Sequence, residues 1–250
     1  MTRPPVRFTQ LKRIAQSPLH YRHGLTATYD SGAMRLGRLT DILTLGGELP
    51  PVWAADRRGK AWDAFAAQHD RREIVTQAEL DEAQRMADAV HANRHARAWL
   101  EHPDRVVKRR IYWDDIGRPC SGEPDLFVPG EAVVDLKTTR SADPARFARD
   151  AIWRAYHAQL AWYRRGLEFG GYGPTPRALI IAVESAAPYP VTVLELTPRA
   201  LEQGERLCRV WLERLLACEA ADEWPGYAQD VVSLDVPGDT LDDLTYGEDT

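Results

Sequence analysis

Apolar residues recur along this chain with two periods, and the places where the period changes mark out helices and strands. Residues 8–18 read as a short helix that stops near Ser17-Pro18, and Met34, Leu36, Leu39, Ile42 and Leu43 lay an apolar stripe on a second helix over 32–45. Residues 55–69 are helical by content. The clearest helix start is Thr76-x-x-Glu79, a capping box in which each side chain accepts from the other residue's main-chain N–H; Leu80, Ala83, Ala87 and Val90 then follow at helical spacing. The period next shortens. Strands are predicted at 105–113, 120–128 and 132–137, joined by turns at Asp114-Asp115-Ile116-Gly117 and Pro129-Gly130, as a three-strand meander. Helices return at 143–152 and 154–168, with Ser141 and Asp143 as N-caps. Residues 178–183 form a buried strand and 191–196 an outer one. Thr197-Pro198 opens a last helix to about residue 217, with Leu201, Leu207, Val210, Leu212 and Leu215 as its apolar positions. The pattern predicts a mixed α/β fold of the α+β kind, a central mixed sheet flanked by helices. No internal repeat is evident.

Composition adds bounds. The 250 residues are 44% hydrophobic and 28% charged, enough to bury a full core, and no run of eighteen apolar residues crosses a membrane. The reading is one domain over 1–228, with a helical N-terminal part over 1–104, and an acidic, disordered tail over 229–250. The N-terminus has no apolar signal core, so a cytoplasmic location is expected. Cys120, Cys208 and Cys218 form no Cys-x-x-Cys pair, which argues against zinc, iron–sulfur clusters and a disulfide framework.

The net charge of −5 is misleading. No Lys or Arg follows Arg214, while ten acids do; residues 1–214 therefore carry 32 bases against 27 acids, a charge of +5. Lys12-Arg13, Arg71-Arg72, Lys108-Arg109-Arg110 and Arg164-Arg165 are basic clusters able to contact phosphates, although each is also what a solvated surface looks like.

The candidate chemistry lies in Gly122-Glu123-Pro124-Asp125 and, ten residues on, Asp135-Leu136-Lys137. A hairpin with its turn at Pro129-Gly130 brings Asp125 and Asp135 together. Carboxylates forced together repel, so such a pair is usually held by a divalent cation, and oxygen ligands select Mg²⁺ or Mn²⁺ over zinc. Lys137 then sits beside the metal-bound water. An Asp and a Lys two apart on a strand also share one face as an ordinary ion pair, so the Asp-Leu-Lys triplet alone is weak. The order of the parts is more telling: Gly-x-Pro-Asp, a turn, an apolar strand ending Asp-x-Lys-Thr-Thr, then a helix with Gln159 and Tyr163 four apart on one face.

That order resembles the PD-(D/E)XK nuclease superfamily, specifically the branch containing exodeoxyribonuclease VIII and lambda exonuclease, over about residues 8–237. The resemblance implies a metal-dependent exonuclease that hydrolyses linear double-stranded DNA in recombination or repair, often phage-derived. By it, Asp125, Asp135 and the main-chain carbonyl of Leu136 bind Mg²⁺ or Mn²⁺. Lys137 positions the attacking water, and Gln159 and Tyr163 line the substrate groove. Thr138 and Thr139 supply hydrogen bonds to phosphate oxygens. Relatives form rings around the duplex and work with single-strand annealing proteins. Trp224-Pro225-Gly226-Tyr227 resembles a terminal element that packs back on the domain.

Two positions depart from the family pattern. A helical histidine four residues after a glycine is replaced by Asp41, still a possible metal ligand, and a strand glutamate falls on Lys108, with Glu101 or Glu123 able to compensate. An ammonium in place of a ligand carboxylate repels a cation. The departures keep two alternatives open: a catalytically weakened DNA-binding or assembly protein on the same fold, and a single-strand or structure-selective endonuclease.

Overall fold

The apolar run at Ala132 becomes the central strand of the molecule. The computed structural model describes residues 3–26, 31–228 and 230–234. The chain opens with strand β1 (Val6–Arg7) and helices α1 (Phe8–Leu11), α2 (Arg13–Gln16) and α3 (Pro18–Gly24). Helix α4 (Gly32–Leu45), strand β2 (Val52–Trp53), helix α5 (Gly59–Ala66) and strand β3 (Val75–Thr76) lead to helices α6 (Gln77–Ala92) and α7 (Arg94–Leu100). Strands β4 (Val106–Val107), β5 (Ile111–Asp115), β6 (Arg118–Gly122), β7 (Leu126–Val128) and β8 (Ala132–Thr139) follow. Helices α8 (Pro144–Trp153) and α9 (Tyr156–Phe169), strands β9 (Arg177–Glu184) and β10 (Val191–Glu195), and helix α10 (Pro198–Ala221) complete the order.

The main sheet runs β10-β9-β8-β7-β4; β8 and β9 are parallel and the other neighbours antiparallel. Alternation along the strands sorts side chains onto two faces. Phe127, Val133, Ala178, Ile180 and Ala182 join one buried cluster with Leu160, Trp162 and Leu167 of α9 and Leu212 of α10. Leu126, Val128, Val134, Leu179 and Ile181 join another with Met86 and Val90 of α6 and Trp99 of α7. The sheet therefore lies between two helical layers. Asp135 and Lys137 continue the parity of Val133, which turns them toward α9.

The meander expected from the sequence is instead two sheets. Strands β5 and β6 form a hairpin that β1 extends in parallel, while β4 and β7 belong to the main sheet. The chain leaves the main sheet at Lys108 (φ 48°) and returns to it through Glu123-Pro124-Asp125. The two crossings touch, since Lys108 N–H donates to the Asp125 carbonyl at 3.1 Å. Apolar content marks both halves of each run as strand; only the left-handed backbone at Lys108 and the missing N–H of Pro124 break the ladder.

Other boundaries move less. Ser17 ends the first helical stretch, but its side chain also caps α3, accepting from His20 N–H, so the helical region runs to Gly24. Helix α5 is shorter than the 55–69 expected. The Thr76/Glu79 capping box is present, and Asp143 rather than Ser141 caps α8. Trp224 stacks on Tyr21 with ring centroids 5.8 Å apart, and Leu19 N–H donates to the Pro225 carbonyl at 3.1 Å, tying the segment after α10 to α3. Most of the acidic tail, residue 229 and residues 235–250, lies outside the described residues. Among the described residues no helix is long and apolar enough to cross a membrane.

Candidate active site

The site is built where the strand corner meets the end of β8. Asp125 arrives from the corner, and its Oδ2 accepts from the Leu136 N–H at 2.9 Å. Its Oδ1 lies 2.5 Å from Lys108 Nζ, which is also 2.6 Å from Asp41 Oδ2 on α4. Helix α4 approaches β8 closely because Gly37 has no side chain: a Cβ there would stand 3.2 Å from Thr138 Oγ1. Asp41 lies one turn further along that helix. Asp135, only 2% exposed, pairs with Lys137 on the same strand face. The Lys137 ammonium lies 4.9 Å from the ring centroid of Tyr156 at the start of α9.

Burial sets the charge states. It pushes the Asp41 carboxyl up to about 6, with neighbouring Asp125 pushing the same way and Lys108 opposing. It likewise raises Asp135 to about 6, against the pull of Lys137. For both lysines burial works against the charge, but the flanking aspartates outweigh it: Asp125 and Asp41 hold Lys108, and Asp135 and Asp125 hold Lys137, above the ordinary lysine value. Three carboxylates and two ammoniums leave one net negative charge in a partly desolvated place.

Asp41, Asp125, Leu136, Lys137, Thr138 and Thr139 all line one open cleft of about 760 Å³. Thr139 Oγ1 donates to the Ser141 carbonyl at 3.1 Å, shaping the turn into α8. Gln159 and Tyr163 lie together on α9. They are paired, Gln159 Nε2 donating to the Tyr163 hydroxyl at 3.0 Å, and, like the buried Asp135, they stand back from the residues that line the cleft. Tyr163 is buried against Gly122, where a Cβ would meet its ring at 3.0 Å, and burial, with Asp135 second, pushes its hydroxyl up to about 12. Spacing of four gave the correct common face: Tyr156 at its start reaches the cleft, Gln159 is half-buried, and Tyr163 is buried beside Asp135.

The basic clusters are also redirected. Arg110 pairs with Glu123 at 2.8 Å, Arg72 with Asp70 at 2.9 Å, Arg164 with Glu205 at 3.4 Å, and Arg165 with Asp115. Glu123 is thus engaged away from the site, and Glu101 is exposed at the end of α7. Lys12 does lie in the field of Lys137 and Arg154, which, after burial, lower its pKa. Arg38, Arg140, Arg154 and Tyr156 line the cleft and were not singled out by sequence reasoning. For Tyr156 a signal existed: it stands three and seven residues before Gln159 and Tyr163, on the same helical face. The arginines had none, being single letters in α4, just after β8 and just after α8.

A divalent cation can be tested against these groups. Asp41 Oδ1 and Asp135 Oδ2 are buried with no hydrogen-bond partner, although Lys137 lies against Asp135, and all available side-chain donors are carboxylate oxygens, which suit hard cations. Among the described residues no group of three or more acidic, histidine or cysteine side chains is gathered closely enough to enclose a metal. The carboxylate oxygens present fit a hard cation in kind, while Lys108, Lys137 and the Leu136 N–H already engage several of them.

A family model described as a PDDEXK-like domain of unknown function (DUF3799) matches residues 7–235. Among solved structures, a candidate exonuclease from Eubacterium rectale aligns with a TM-score of 0.65 and 15% identity over 97% of this chain and 93% of its own, a likeness of fold. SSO0001 aligns at a TM-score of 0.31 and 13% identity, over 82% of this chain and 84% of its own, and carries no argument. No curated protein matches the chain.

Proposed function

The chain belongs to the PDDEXK-like family DUF3799, and from that premise we propose that it is a metal-dependent nuclease cutting phosphodiester bonds of DNA. The observation that carries the reading is the Leu136 N–H to Asp125 hydrogen bond, which joins the corner carboxylate to the strand whose Lys137 lines the cleft and whose Asp135 is buried behind that lining. PDDEXK nucleases generally use divalent metals. Here Asp125, Asp135 and the Leu136 carbonyl would hold Mg²⁺ or Mn²⁺, with Asp41 alongside. When bound, the ion polarises the phosphate and lowers the pKa of the attacking water.

The chain's own residues do the rest. Lys137 stays charged between Asp135 and the face of Tyr156, where it orients the attacking water and offsets charge gathering on the phosphate. Thr138 offers its hydroxyl to phosphate oxygens, Thr139 can do so only by giving up its bond to the Ser141 carbonyl, and Arg38, Arg140 and Arg154 attract the backbone. Tyr163 and Gln159 hold the wall behind Asp135. The proposed substrate is linear double-stranded DNA degraded from an end, in recombination or repair. The nuclease unit is residues 1–228, cytoplasmic and phage-derived, with a ring-shaped homo-oligomer and a single-strand annealing protein as partners of the same proposal.

One observation favours the second reading, a catalytically weakened DNA-binding or assembly protein: the Lys108 ammonium already bridges Asp41 and Asp125 and offsets half of their charge. End-labelled linear duplex, closed circular duplex and single strands, incubated with Mg²⁺ or Mn²⁺, separate the cases. An exonuclease shortens the linear duplex and spares the circle, with Lys137→Ala inactive; nicking of the circle marks an endonuclease. No product from any substrate with either ion leaves the binding protein.

A further inference from the structure

We propose that the Lys108 ammonium stands in a divalent-cation position between Asp41 and Asp125, so that this site binds one ion fewer than its carboxylates would otherwise take. The inference rests on the reading of the cleft as a cation site and concerns how many ions it holds.

The first support is placement. Lys108 Nζ bridges oxygens from two separate elements, 2.6 Å from Asp41 Oδ2 on α4 and 2.5 Å from Asp125 Oδ1 at the corner. Metal–oxygen distances for Mg²⁺ are about 2.0–2.1 Å, so an ammonium 2.5–2.6 Å from two carboxylates occupies the place a bridging ion would take, with half its charge. It cannot share that volume with a cation.

The second support is that the backbone is shaped to hold it there. Lys108 has φ 48°, a conformation disfavoured for a residue with a Cβ, at the point where β4 ends. Its main-chain N–H donates to the Asp125 carbonyl at 3.1 Å while its side chain reaches the Asp125 carboxylate. Lys108 is thus attached to Asp125 at both ends. A mobile surface lysine that happened to pair would need neither feature.

The third support is charge. Asp41, Asp125 and Asp135 against Lys108 and Lys137 leave one net negative charge. A second divalent ion would meet the Lys108 ammonium at the same oxygens, in a cleft already lined by Arg38, Arg140 and Arg154, so repulsion works against it. Asp41 Oδ1 is buried without a hydrogen-bond partner, so the aspartate keeps an unsatisfied oxygen even while its other oxygen is bridged. Removal of the ammonium frees both of its carboxylate partners for an incoming ion.

The test counts ions and does not depend on activity. Mn²⁺ alone is titrated into the full chain, with bound ion read by calorimetry and free ion by its paramagnetic resonance signal. Wild type, Lys108→Glu and Lys108→Met are compared, each checked for folding by circular dichroism; Lys108→Met keeps the length without adding charge, should the glutamate variant not fold. The expected result is one more Mn²⁺ bound per chain in the folded variant than in wild type. One ion in wild type and two in the variant supports both this inference and the nuclease reading. None in wild type and one in the variant supports the inference and removes the metal-dependent function. The same count in wild type and folded variant, whatever it is, overturns the inference and makes Lys108 a structural ion pair.

Discussion

The main-chain N–H of Leu136 donates to Asp125 Oδ2 at 2.9 Å. One peptide group of β8 therefore orients the carboxylate that arrives from the strand corner, while the side chains on either side of that residue, Asp135 and Lys137, face α9. The geometry of the site is set by backbone as much as by side chains, and that distinction can be measured.

Asp125→Asn keeps an oxygen for the Leu136 N–H, whereas Asp125→Ala leaves that N–H without its partner. A half-buried donor left unsatisfied costs about 1–3 kcal/mol. Urea unfolding without metal is expected to place the alanine variant below the asparagine variant by that amount. Equal stabilities would mean that water replaces the carboxylate and the hydrogen bond positions nothing.

Asp135 is held near 6 in the folded protein against an ordinary 3.8. A raised pKa means the folded state binds more protons than the unfolded one between those values, so the contribution of this group is full below about pH 4 and is lost as pH rises through about 6. The stability of wild type relative to Asp135→Asn is expected to fall between pH 4 and pH 7 in metal-free buffer, by at most about 1.4 kcal/mol per pH unit. Asp41, raised for the same reason, predicts the same direction for Asp41→Asn. A gap that widens with pH would contradict the burial argument.

Gly204 of α10 faces the backbone of α9: a Cβ there would stand 2.4 Å from the His157 carbonyl oxygen and 2.9 Å from Ala158 Cα. Main chain cannot swing aside as a side chain does. Although alanine favours a helix over glycine by about 1 kcal/mol, Gly204→Ala is expected to destabilise by about 1–3 kcal/mol. Thermal melting checks it. Because α9 also carries Tyr156 and Tyr163, the variant should disturb the Lys137 surroundings as well.

Arg140 and Arg154 line the cleft from the two ends of the segment that follows β8. If they meet DNA phosphates, Arg140→Ala and Arg154→Ala each weaken binding without regard to sequence and reduce the slope of log affinity against log salt by about 1. Fluorescence anisotropy over a salt series measures this. An unchanged slope in both variants would place the nucleic acid elsewhere.

Local chemistry made several parts legible beforehand. The Thr76/Glu79 capping box, the Asp143 and Thr197 caps and the apolar strand at Ala132 are each decided within a few residues, where propensity and periodicity act directly. The identity of Asp125, Asp135 and Lys137 as a group was likewise legible, because a strand's two-residue period and one short turn fix which side chains share a face. The same logic failed at 105–113 and 120–128. There the apolar content is equally strand-like on both sides of Lys108 and of Pro124, so no local signal says to which sheet each half belongs.

What the amino-acid order alone determined is therefore the set of elements, the sheet-with-helices class and the three letters of the Asp-Asp-Lys cluster, all short-range consequences of spacing. What only the tertiary structure decided is the partner of each charged group. Lys108 turned from a misplaced cation into a bridge between Asp41 and Asp125, the flagged arginines were drawn into ion pairs with Asp115, Glu123 and Glu205, and Tyr163 was folded in behind Asp135. The reason is physical: a charge acts on whatever the fold brings within a few ångströms, in a dielectric set by burial, and neither quantity is written in the distance along the chain.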